Sequence, residues 1–560
     1  MRITDTSDLW WKTAVIYCLD VETFYDGDGD GTGDLGGLAE RVDYLAELGI
    51  TCLWLMPFYP TPDRDDGYDV TDLYGVDHRL GTHGQLVELI RTANDRGIRV
   101  IADVVINHTS NQHPWFKAAR RSTDNPMRDY YVWRSDAPPD TSDQVVFPDK
   151  EDSIWELDDK TGEWYLHHFY KHQPDLNVAN QQVRDEIART MGFWLQVGLD
   201  GFRVDAVPFF IDDVETAAED PARPDVPADP HQHLRDLRAF ITRRKGTAIM
   251  LGEVNLPHKD QKKYFGGDAG DELQMMFDFI TMQNLYLSMA REDARPLVRA
   301  LSRRPRLHPS SQWANFVRNH DELTLDKLSD SERQEVFDAF GPEPQMQIYG
   351  RGLKRRMPGM LGGDPRRLRM VYSLLFSLPG TPTIFYGEEI GMGEDLEQEG
   401  RMAVRTPMQW TDGPNGGFST APPRKLVTRV VPGGLGPEHV NVAQQRRDPT
   451  SLWMFMRNLI TTYRSCPELG WGGFELLDQP FRQVLAHRCA WEDAAVVVVH
   501  NLGAEPVTVS LTVADGPVEL ADLLGQDDVN ADEHGRVELA LPGYGFRWLR
   551  VHPPGAARLP

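Results

Sequence analysis

Short runs of apolar and β-branched residues alternate with amphipathic stretches along the first two thirds of the chain. Between the first two runs, Leu38, Val42 and Leu45 keep the i, i+4, i+7 spacing of a helix with one apolar face. Apolar strands that alternate with helices are typical of a parallel sheet covered on both faces. Eight such units predict a closed (β/α)8 barrel. The runs begin at Ala14, Thr51, Arg99, Gly201, Ala248, Met275, Asn315 and Thr383.

Three interruptions of this pattern predict additional structure. Residues 107–180 are rich in Trp, Tyr, His and Asp without helical period, which predicts an inserted domain after the third strand, beside the barrel mouth. The charged stretch 323–369, between the seventh and eighth strands, is expected to form a helical lid. After about Pro467 short alternating strands predict a C-terminal antiparallel β-sandwich. The expected domains are the barrel (1–106 and 181–466), the inserted domain (107–180) and the sandwich (467–560).

Composition excludes several classes of partner. A chain of 560 residues is too long for one ordinary core, and 40% hydrophobic content fits a soluble globular enzyme. The net charge of −26 argues against nucleic acid or an anionic membrane as a partner. The sequence has neither a signal-peptide pattern nor an apolar run of about 18 residues, so we expect a cytoplasmic protein with no membrane partner.

The four cysteines follow no metal-binding spacing. Cys18 and Cys52 fall within predicted barrel strands, where buried free thiols are the common outcome. Composition does not decide the oligomeric state, so a homo-oligomer stays open.

The stretch FYDGDGDGTGDLGG near the N-terminus has two interpretations. Gly-rich polar runs are commonly linkers or turns. The alternative is a calcium loop, in which carboxylates recur at alternate positions and glycines let the backbone curl around the ion. The ligands would be Asp26, Asp28, Asp30 and Asp34 with the carbonyl of Thr32. The stretch follows a strand and lacks a terminal Glu, so it is not an EF-hand. We predict a structural calcium site, or magnesium in the same loop, with a linker as the alternative.

Polar residues stand at the carboxyl ends of several predicted strands, where barrel enzymes place their chemistry. Each has an ordinary explanation alone, because an Asp at a strand end often caps the next helix and a single His is more often structural. Three carboxylates on three strands, pointing into one mouth, would strongly perturb one another's pKa, which is typical of a functional site. The residues are Asn107, His108, Arg203, Asp205, Glu253, His320 and Asp321.

These motifs carry a resemblance that covers nearly the whole chain. DVVINH, GFRVDAV, GEVN and RNHD, in that order, resemble the four motifs of the α-amylase superfamily of glycoside hydrolases, and QPDLN resembles its additional motif. DDGYDV, RNHDELTL, SLPGTPTIFYGEEIGMG and VRTPMQW resemble the trehalose synthases and their α-glucosidase relatives. The opening loop is similar to the calcium loop of that branch, which argues against a linker. The resemblance implies a small α-glucoside as substrate and no organic cofactor.

The resemblance also implies a role for each strand-end residue. Asp205 would be the nucleophile, and Glu253 would protonate the leaving oxygen and then deprotonate the incoming hydroxyl. Asp321 would bind the 2- and 3-hydroxyls of the sugar. Arg203 would hold Asp205 ionised, because a nearby cation lowers the pKa of a carboxylate. This double displacement retains the anomeric configuration.

Further residues would shape the sugar pocket. His108 and His320 would bind sugar hydroxyls, and Tyr68 would stack on the ring. Asp65 and Arg401 match a pair that, in the α-glucosidase-like branch, walls off the non-reducing end; the alternative is an exposed ion pair of little energetic value. A closed wall would favour disaccharides over starch.

The resemblance further implies a second cation between the barrel and the inserted domain. Its ligands would be Asn107, Asp175 and Asp212 with the carbonyls of Phe209 and Phe210, and hard oxygen ligands of this mix suit calcium. In the alternative, no ion is bound and Asp212 is solvated.

Three functions follow as hypotheses. We favour a retaining enzyme that interconverts maltose and trehalose; an α-glucosidase or transglucosylase with another acceptor is the alternative. The remote hypothesis is a non-catalytic barrel that serves as a partner subunit, because such proteins typically lack the catalytic carboxylates, whereas this chain has all three. Two departures limit the resemblance: Glu22 and Thr23 replace a basic and a small residue, and Val254, Asn255, Leu256 and Pro257 replace the usual run after the acid/base. The second departure leaves the acceptor open, because these residues would line the site of the leaving or accepting sugar.

Overall fold

The computed structural model describes residues 9–211 and 229–552. Eight parallel strands form a closed barrel, as the periodicity predicts. The first strand pairs with both the second and the eighth, with Ile16 opposite Cys52 on one side and Thr383 on the other, which closes the sheet. In chain order the barrel strands are Ile16–Leu19, Cys52–Leu55, Arg99–Val104, Gly201–Val204, Ile249–Gly252, Met275–Phe277, Gln312–Phe316 and Thr381–Phe385.

Helices between the strands cover the outside of the barrel and bury their apolar faces against it. The helix after the second strand begins at a capping box, in which Thr82 and Gln85 satisfy each other's backbone N–H groups. In the barrel and its loops the helices are Val21–Phe24, Leu35–Glu40, Val42–Leu48, His83–Asp95, Gln181–Val197, Gln232–Arg244, His258–Tyr264, Phe279–Arg291, Arg295–Ser302, Met357–Met360, Pro365–Ser377, Val442–Gln445 and Leu452–Arg464.

The segment 107–180 leaves the barrel at the end of the third strand. It contains the helix Pro114–Ala119 and a three-stranded antiparallel sheet of Trp133–Arg134, Trp155–Leu157 and Trp164–Leu166. The backbone N–H of Leu176 donates to the carbonyl of Asn107 over 2.8 Å, so the end of the segment returns to where it began. This return brings the segment back to the barrel mouth.

The excursion after the seventh strand is only partly helical. It contains the helix Asp330–Phe340 and a small antiparallel sheet of Leu323–Thr324, Gln347–Ile348 and Gly352–Leu353. Tyr349 and Gly350 have left-handed backbone conformations (φ 54° and 63°), which turn the chain into a hairpin where we expected more helix.

The C-terminal region packs two antiparallel sheets, as predicted, after the short helix Pro467–Trp471. Val507 and Val509 alternate with exposed residues along one strand, and their buried side chains join a separate apolar core. The six-stranded sheet comprises Gly473–Leu476, Val484–Trp491, Ala494–Asn501, Phe546–His552, Glu519–Asp522 and Val529–Asn530; the two-stranded sheet comprises Val507–Thr512 and Arg536–Leu541.

All four cysteines are buried free thiols. Across residues 9–211 and 229–552, no helix is both long and apolar enough to cross a membrane.

Candidate active site

Arg203 organises the carboxylates at the barrel mouth. The strand register places Asp103 directly opposite Arg203, and one guanidinium amino group donates to Asp103 over 2.6 Å and also to Asp205. The other amino group bonds Glu253 over 2.6 Å. The Arg203 side chain is only 1% exposed, so it is fixed among three carboxylates from three strands. One cation thus sets the relative positions of both predicted reacting groups.

A strained turn places Asp205 beside Glu253. Val204 pairs with Gly252 in the register, so the next residues of both strands reach the mouth together. Ala206, just after Asp205, has a left-handed backbone conformation (φ 51°), and its N–H lies 3.4 Å from a Glu253 carboxylate oxygen. A non-glycine residue in this conformation costs of order 1–3 kcal/mol and is common where function fixes the geometry.

Burial sets the protonation of the two reacting groups. It raises the pKa of Glu253 to about 7 and that of Asp205 to about 6, while Arg203 lowers both. Arg203 lowers the Asp205 pKa, as expected, but the sequence did not show that desolvation outweighs the ion pair. The order of the two values still suits the chemistry: Glu253 keeps its proton at a pH where Asp205 has lost its own.

Asp321 stands apart from the other carboxylates because two arginines and a histidine surround it. His320 lies 3.2 Å from one of its oxygens, and Arg401 and Arg405 bond the other over 2.5 and 3.0 Å. Burial opposes ionisation of Asp321, yet these neighbours hold its pKa well below the usual range. Asp321 is therefore a permanent hydrogen-bond acceptor at the mouth.

Tyr68, His108 and His320 form a neutral wall of the site. The Tyr68 hydroxyl is 2.7 Å from His320 Nε2, and the two rings stack at 11°. His108 Nε2 lies 3.2 Å from the carbonyl of Tyr68. Burial lowers the pKa of both histidines, so they offer neutral hydrogen-bonding groups, which suit sugar hydroxyls.

The predicted pair of Asp65 and Arg401 is present and is not a surface ion pair. The two side chains bond over 2.6 Å and are only 10% and 13% exposed. Gln173, from the segment 107–180, donates to the second Asp65 oxygen over 2.9 Å. Since Arg401 also bonds Asp321, it links Asp65 directly to the ionised carboxylate at the mouth.

Sequence reasoning missed two residues that shape the site. Arg405 donates to the carbonyl of His320 over 2.8 Å and bonds Asp66 over 2.6 Å, in addition to its contact with Asp321. Trp54 donates to Asp103 over 2.7 Å from the second strand. The VRTPMQW motif, to which Arg405 belongs, could have identified Arg405 as a site residue. No sequence feature distinguished Trp54 from an ordinary core residue.

A cavity of about 500 Å³ opens on the Glu253 side of the mouth. Asn255 and Leu256, which depart from the expected run after Glu253, line it together with Phe209 and Phe279. Glu253, the predicted acid/base, also lines this cavity, and so do Asp321 and Arg401. We call it the front cavity.

The opening Asp/Gly loop brings together three of its four carboxylates. One oxygen each from Asp26, Asp28 and Asp34 lie within 4.8 Å of one another. Asp30 is not among the three, and its carboxylate accepts the N–H of Thr32 over 2.8 Å. Such a group of hard oxygen donors fits a calcium-sized cation.

Among the second set of predicted ligands, the structure describes the side chains of Asn107 and Asp175. Asn107 Oδ1 is buried without a hydrogen-bond partner, and Asp175 is buried with its carboxylate on His168. Phe209 lines the front cavity, while the Phe210 ring is buried against His233. Asp212 lies outside the described residues. The unpartnered amide oxygen fits a cation at this position.

The closed barrel and these contacts define a class of protein. Retaining glycoside-processing enzymes need two carboxyl groups about 5–5.5 Å apart, and one guanidinium that bonds both Asp205 and Glu253 favours so short a spacing. With Asp321 ionised beside them, the mouth is the active site of such an enzyme.

Comparisons with known proteins agree. Residues 18–336 and 354–472 match the alpha-amylase catalytic domain, and residues 494–550 match the sucrose hydrolase-like C-terminal domain. The trehalose synthase/amylase TreS of Mycobacterium tuberculosis (strain H37Rv) is 38% identical, over 98% of this chain and 91% of that one. The trehalose synthase of Pimelobacter sp. (strain R48) is 37% identical, over 98% and 97%.

A solved structure gives the same result. The trehalulose synthase MutB from Pseudomonas mesoacidophila MX-45 superimposes with a TM-score of 0.74 at 27% identity, covering 97% of this chain and 99% of that one. The chain therefore belongs to the α-amylase family. The assembled carboxylates and the enzyme relatives exclude the non-catalytic barrel.

Proposed function

We propose that the protein interconverts maltose and trehalose by passing an α-glucosyl group through Asp205. The observation that carries this proposal is the closed end of the pocket. Arg401 and Asp321 line the front cavity, and Arg401 also bonds Asp65, which lies outside that lining, so the pair closes this end around one terminal glucosyl unit. The relatives named trehalose synthase support the same substrate class.

The first displacement breaks the glycosidic bond. Protonated Glu253 gives its proton to the glycosidic oxygen while the Asp205 carboxylate attacks the anomeric carbon. A covalent glucosyl ester forms on Asp205 and glucose is released into the front cavity. Asp321, held ionised by its arginines, hydrogen-bonds the sugar hydroxyls and stabilises the oxocarbenium-like transition state.

The second displacement decides the product. The Glu253 carboxylate removes a proton from the incoming hydroxyl, whose oxygen attacks the anomeric carbon and frees Asp205. Attack by the anomeric hydroxyl of the retained glucose gives trehalose, and attack by its 4-hydroxyl restores maltose. Water gives two glucose molecules, which is the α-glucosidase alternative, and another acceptor gives the transglucosylase alternative.

The products formed from maltose test the proposal. Pure enzyme should form trehalose in excess over free glucose, and it should form maltose from trehalose. Soluble starch should be a much poorer substrate, because the closed end admits no internal glucosyl unit. Free glucose as the main product, or long oligosaccharides released early from starch, would contradict the proposal and favour a hydrolase.

We further propose that the Asp/Gly loop holds a structural calcium ion. Its support is the cluster of Asp26, Asp28 and Asp34, which repel one another without a cation. The buried, unpartnered Asn107 Oδ1 supports a second calcium beside Asp175. Calcium titration of protein stripped of metal, followed by calorimetry, should give two sites, and Asn107→Ala should remove one of them. A single site unaffected by Asn107→Ala would contradict the second ion.

We also propose a cytoplasmic location. Its support is the set of four buried free thiols, which is usual in a reducing compartment. Fractionation of the native cells, with this chain detected by antibody, should find it with cytoplasmic enzymes. Recovery outside the cytoplasm would contradict this location.

A further inference from the structure

Glu22 stands where this chain departs from the branch it resembles, which has a basic residue at that place. Its side chain is buried, and it lies in the short helix Val21–Phe24, directly after the first barrel strand. One oxygen each from Glu22, Asp63 and Asp66 lie within 4.8 Å of one another. Three carboxylates at such distances repel one another strongly when all are ionised. The chain has therefore placed a buried acid among acids.

The backbone holds Asp63 and Asp66 beside Glu22. Both aspartates have left-handed conformations (φ 61° and 49°), and Tyr68 of the sugar site follows two residues later. A non-glycine residue in this conformation is strained, and such strain is common where function fixes the geometry. The meeting of the three carboxyl groups is therefore built into the loop.

Arg79 neutralises only part of the charge around Glu22. Its two amino groups bond Glu22 over 2.8 Å and Asp63 over 2.7 Å, and its Nε bonds Asp77 over 3.1 Å. Within the described parts of the chain, Arg79 is the only cation bonded to Glu22 or to Asp63. Asp20 adds a further carboxyl group, since its side chain accepts the backbone N–H of Glu22 over 2.9 Å. The negative charge on this side therefore exceeds the positive charge.

A proton retained on Glu22 removes this excess. Burial is the main cause that raises the pKa of Glu22 to about 9, and its aspartate neighbours act in the same direction. Arg79 opposes this shift without cancelling it. Because one Glu22 oxygen accepts from Arg79, the other is left to carry the proton. A protonated carboxyl in such a place donates a hydrogen bond to a neighbouring carboxylate.

Asp66 connects this cluster to the active site through Arg405. One Arg405 amino group bonds Asp66 over 2.6 Å, and the other bonds Asp321 over 3.0 Å. The Nε of Arg405 donates to the carbonyl of His320 over 2.8 Å. The Arg405 side chain is only 1% exposed, so a movement of Asp66 must alter its other two contacts. The charge on Glu22 thus acts on the carboxylate predicted to bind the sugar hydroxyls.

A second cavity, of about 650 Å³, borders the cluster. Glu22, Asp63 and Asp66 line it, together with Asp65 and Arg401. The Asp63 side chain is 32% exposed, so solvent reaches the cluster from this side. The Glu22 proton can therefore exchange with water although the side chain itself is buried.

We infer that Glu22 is a positioning residue that keeps its proton in the folded protein and thereby holds Arg405 on Asp321. The proton forms a hydrogen bond from Glu22 to Asp63 or Asp66. Its loss places an uncompensated charge beside Asp66, so the cluster spreads and the Arg405 contacts loosen. The inference rests on the proposed function in one respect, that Asp321 binds the sugar. It goes beyond that function by giving sugar binding an alkaline limit set outside the reacting carboxylates.

Sugar binding at two pH values tests the inference. With Asp205→Asn present throughout, calorimetry measures the affinity for maltose near pH 8 and pH 10, on either side of the Glu22 pKa of about 9. With Glu22 in place, we expect the affinity to fall at least ~3-fold more between these values than with Glu22→Gln, whose amide donates a hydrogen bond at both. Titration of other groups cancels in this comparison. Equal falls in the two proteins would overturn the inference.

Infrared spectroscopy detects the proton itself. Near pH 8 the protein should show a C=O band of a protonated carboxyl group that is missing from Glu22→Gln and that fades towards pH 10. If the two spectra do not differ in this band, Glu22 is ionised and the inference is overturned. This measurement needs no sugar, so its failure is distinct from failure of the trehalose proposal.

Two further variants complete the test. Glu394→Gln is the matched control, because Glu394 is 5% exposed and bonds Arg355 over 2.7 Å but lies outside the cluster and lines neither cavity. It should leave the fall in affinity as it is with Glu22, and a fall reduced as much as by Glu22→Gln would overturn the inference. Glu22→Ala, which cannot donate, should bind maltose more weakly than Glu22→Gln near pH 8. Equal affinities of these two variants would also overturn it.

Discussion

At the residue scale, the site depends on one buried cation that bonds two carboxylates with different pKa values. Arg203 bonds both Asp205 and Glu253, yet burial gives Glu253 the higher pKa. Two carboxyl groups whose pKa values are pushed apart divide the roles of acid and nucleophile. A third, Asp321, is held ionised by arginines and does not exchange protons.

Removal of each reacting group should have a different effect. Asp205→Asn should lower kcat on maltose by ~10⁴-fold or more without unfolding the protein, because the side chain keeps its size but cannot form the ester. Glu253→Gln should block maltose but retain glucosyl transfer from glucosyl fluoride, whose leaving group needs no proton. Thermal unfolding of both variants serves as the control for folding. Comparable turnover of maltose by Asp205→Asn and wild type would contradict the assignment.

The pH dependence of the rate should be bell-shaped. Because Asp205 must lose its proton, kcat/KM should rise as the pH passes about 6. Because Glu253 must keep its proton, kcat/KM should fall above about pH 7. Initial rates between pH 4 and 9 measure both limbs. With glucosyl fluoride as substrate, Glu253→Gln should lose the alkaline limb of the first displacement. An alkaline limb that persists in this variant would assign it to another group.

At the scale of elements, the Asp/Gly loop connects the first barrel strand to the segment after the eighth. Asp26 N–H donates to the carbonyl of Phe418 over 3.1 Å, and its carboxylate accepts the Ser419 hydroxyl over 2.5 Å. The N–H of Val427 donates to the carbonyl of Gly31 over 2.9 Å. An ion in the loop would therefore stabilise the closure of the barrel, far from any reacting atom.

Chelation should lower stability more than activity. Removal of calcium by EGTA should reduce Tm by ~5 °C or more, while activity of the protein that stays folded changes little. Asp28→Asn should reproduce most of this loss and abolish the response to EGTA. Asp30→Asn is the matched control, since its carboxylate lies outside the cluster, and it should retain the response. Equal effects of the two variants, or no effect of EGTA, would contradict a structural ion.

At the scale of the whole molecule, buried histidines connect the barrel to the C-terminal sheets. His500 Nε2 lies 2.9 Å from the hydroxyl of Ser373, and Trp548 donates to the same hydroxyl. His487 Nε2 lies 2.9 Å from the carbonyl of Ser377. Burial lowers the pKa of His487 to about 4 and that of His500 well below its usual range, so both are neutral in the folded protein.

The protonation of these histidines should lower the unfolding free energy in acid. A histidine with an unfolded pKa near 6.5 and a folded pKa of about 4 contributes its full stability above pH 6.5 and loses it as the pH falls towards 4. The full loss for His487 corresponds to about 3 kcal/mol. His487→Gln should flatten the dependence of unfolding free energy on pH between 6.5 and 4, measured by urea denaturation. His534→Gln, at an exposed position, should leave the pH dependence of the unfolding free energy as in wild type. Equal slopes in wild type, His487→Gln and His534→Gln would contradict this explanation.

The sequence alone determined the barrel, because its signal is local and repeated. Continuous apolar strands such as AVIYCLDV and TCLWLMPF must be covered on both faces of a sheet. Because amphipathic helices alternate with them, the pattern predicts a closed parallel barrel surrounded by helices. The same logic placed Asp205, Glu253 and Asp321 at one mouth, since the carboxyl ends of parallel strands share one edge. The Asp/Gly alternation likewise predicted a cation loop from spacing within a single segment.

Only the tertiary structure decided what depends on distant parts of the chain meeting. Arg401 lies 336 residues from Asp65 and is joined to Asp321 as well, and no local pattern encodes how far that pair is buried or that a cavity lies behind it. The raised pKa of Asp205 also escaped sequence reasoning, because desolvation depends on the whole surroundings and outweighs the visible cation. Local pattern fixes elements and their ends, whereas burial and long-range contacts fix the charge states of the carboxylates and the closure of the pocket.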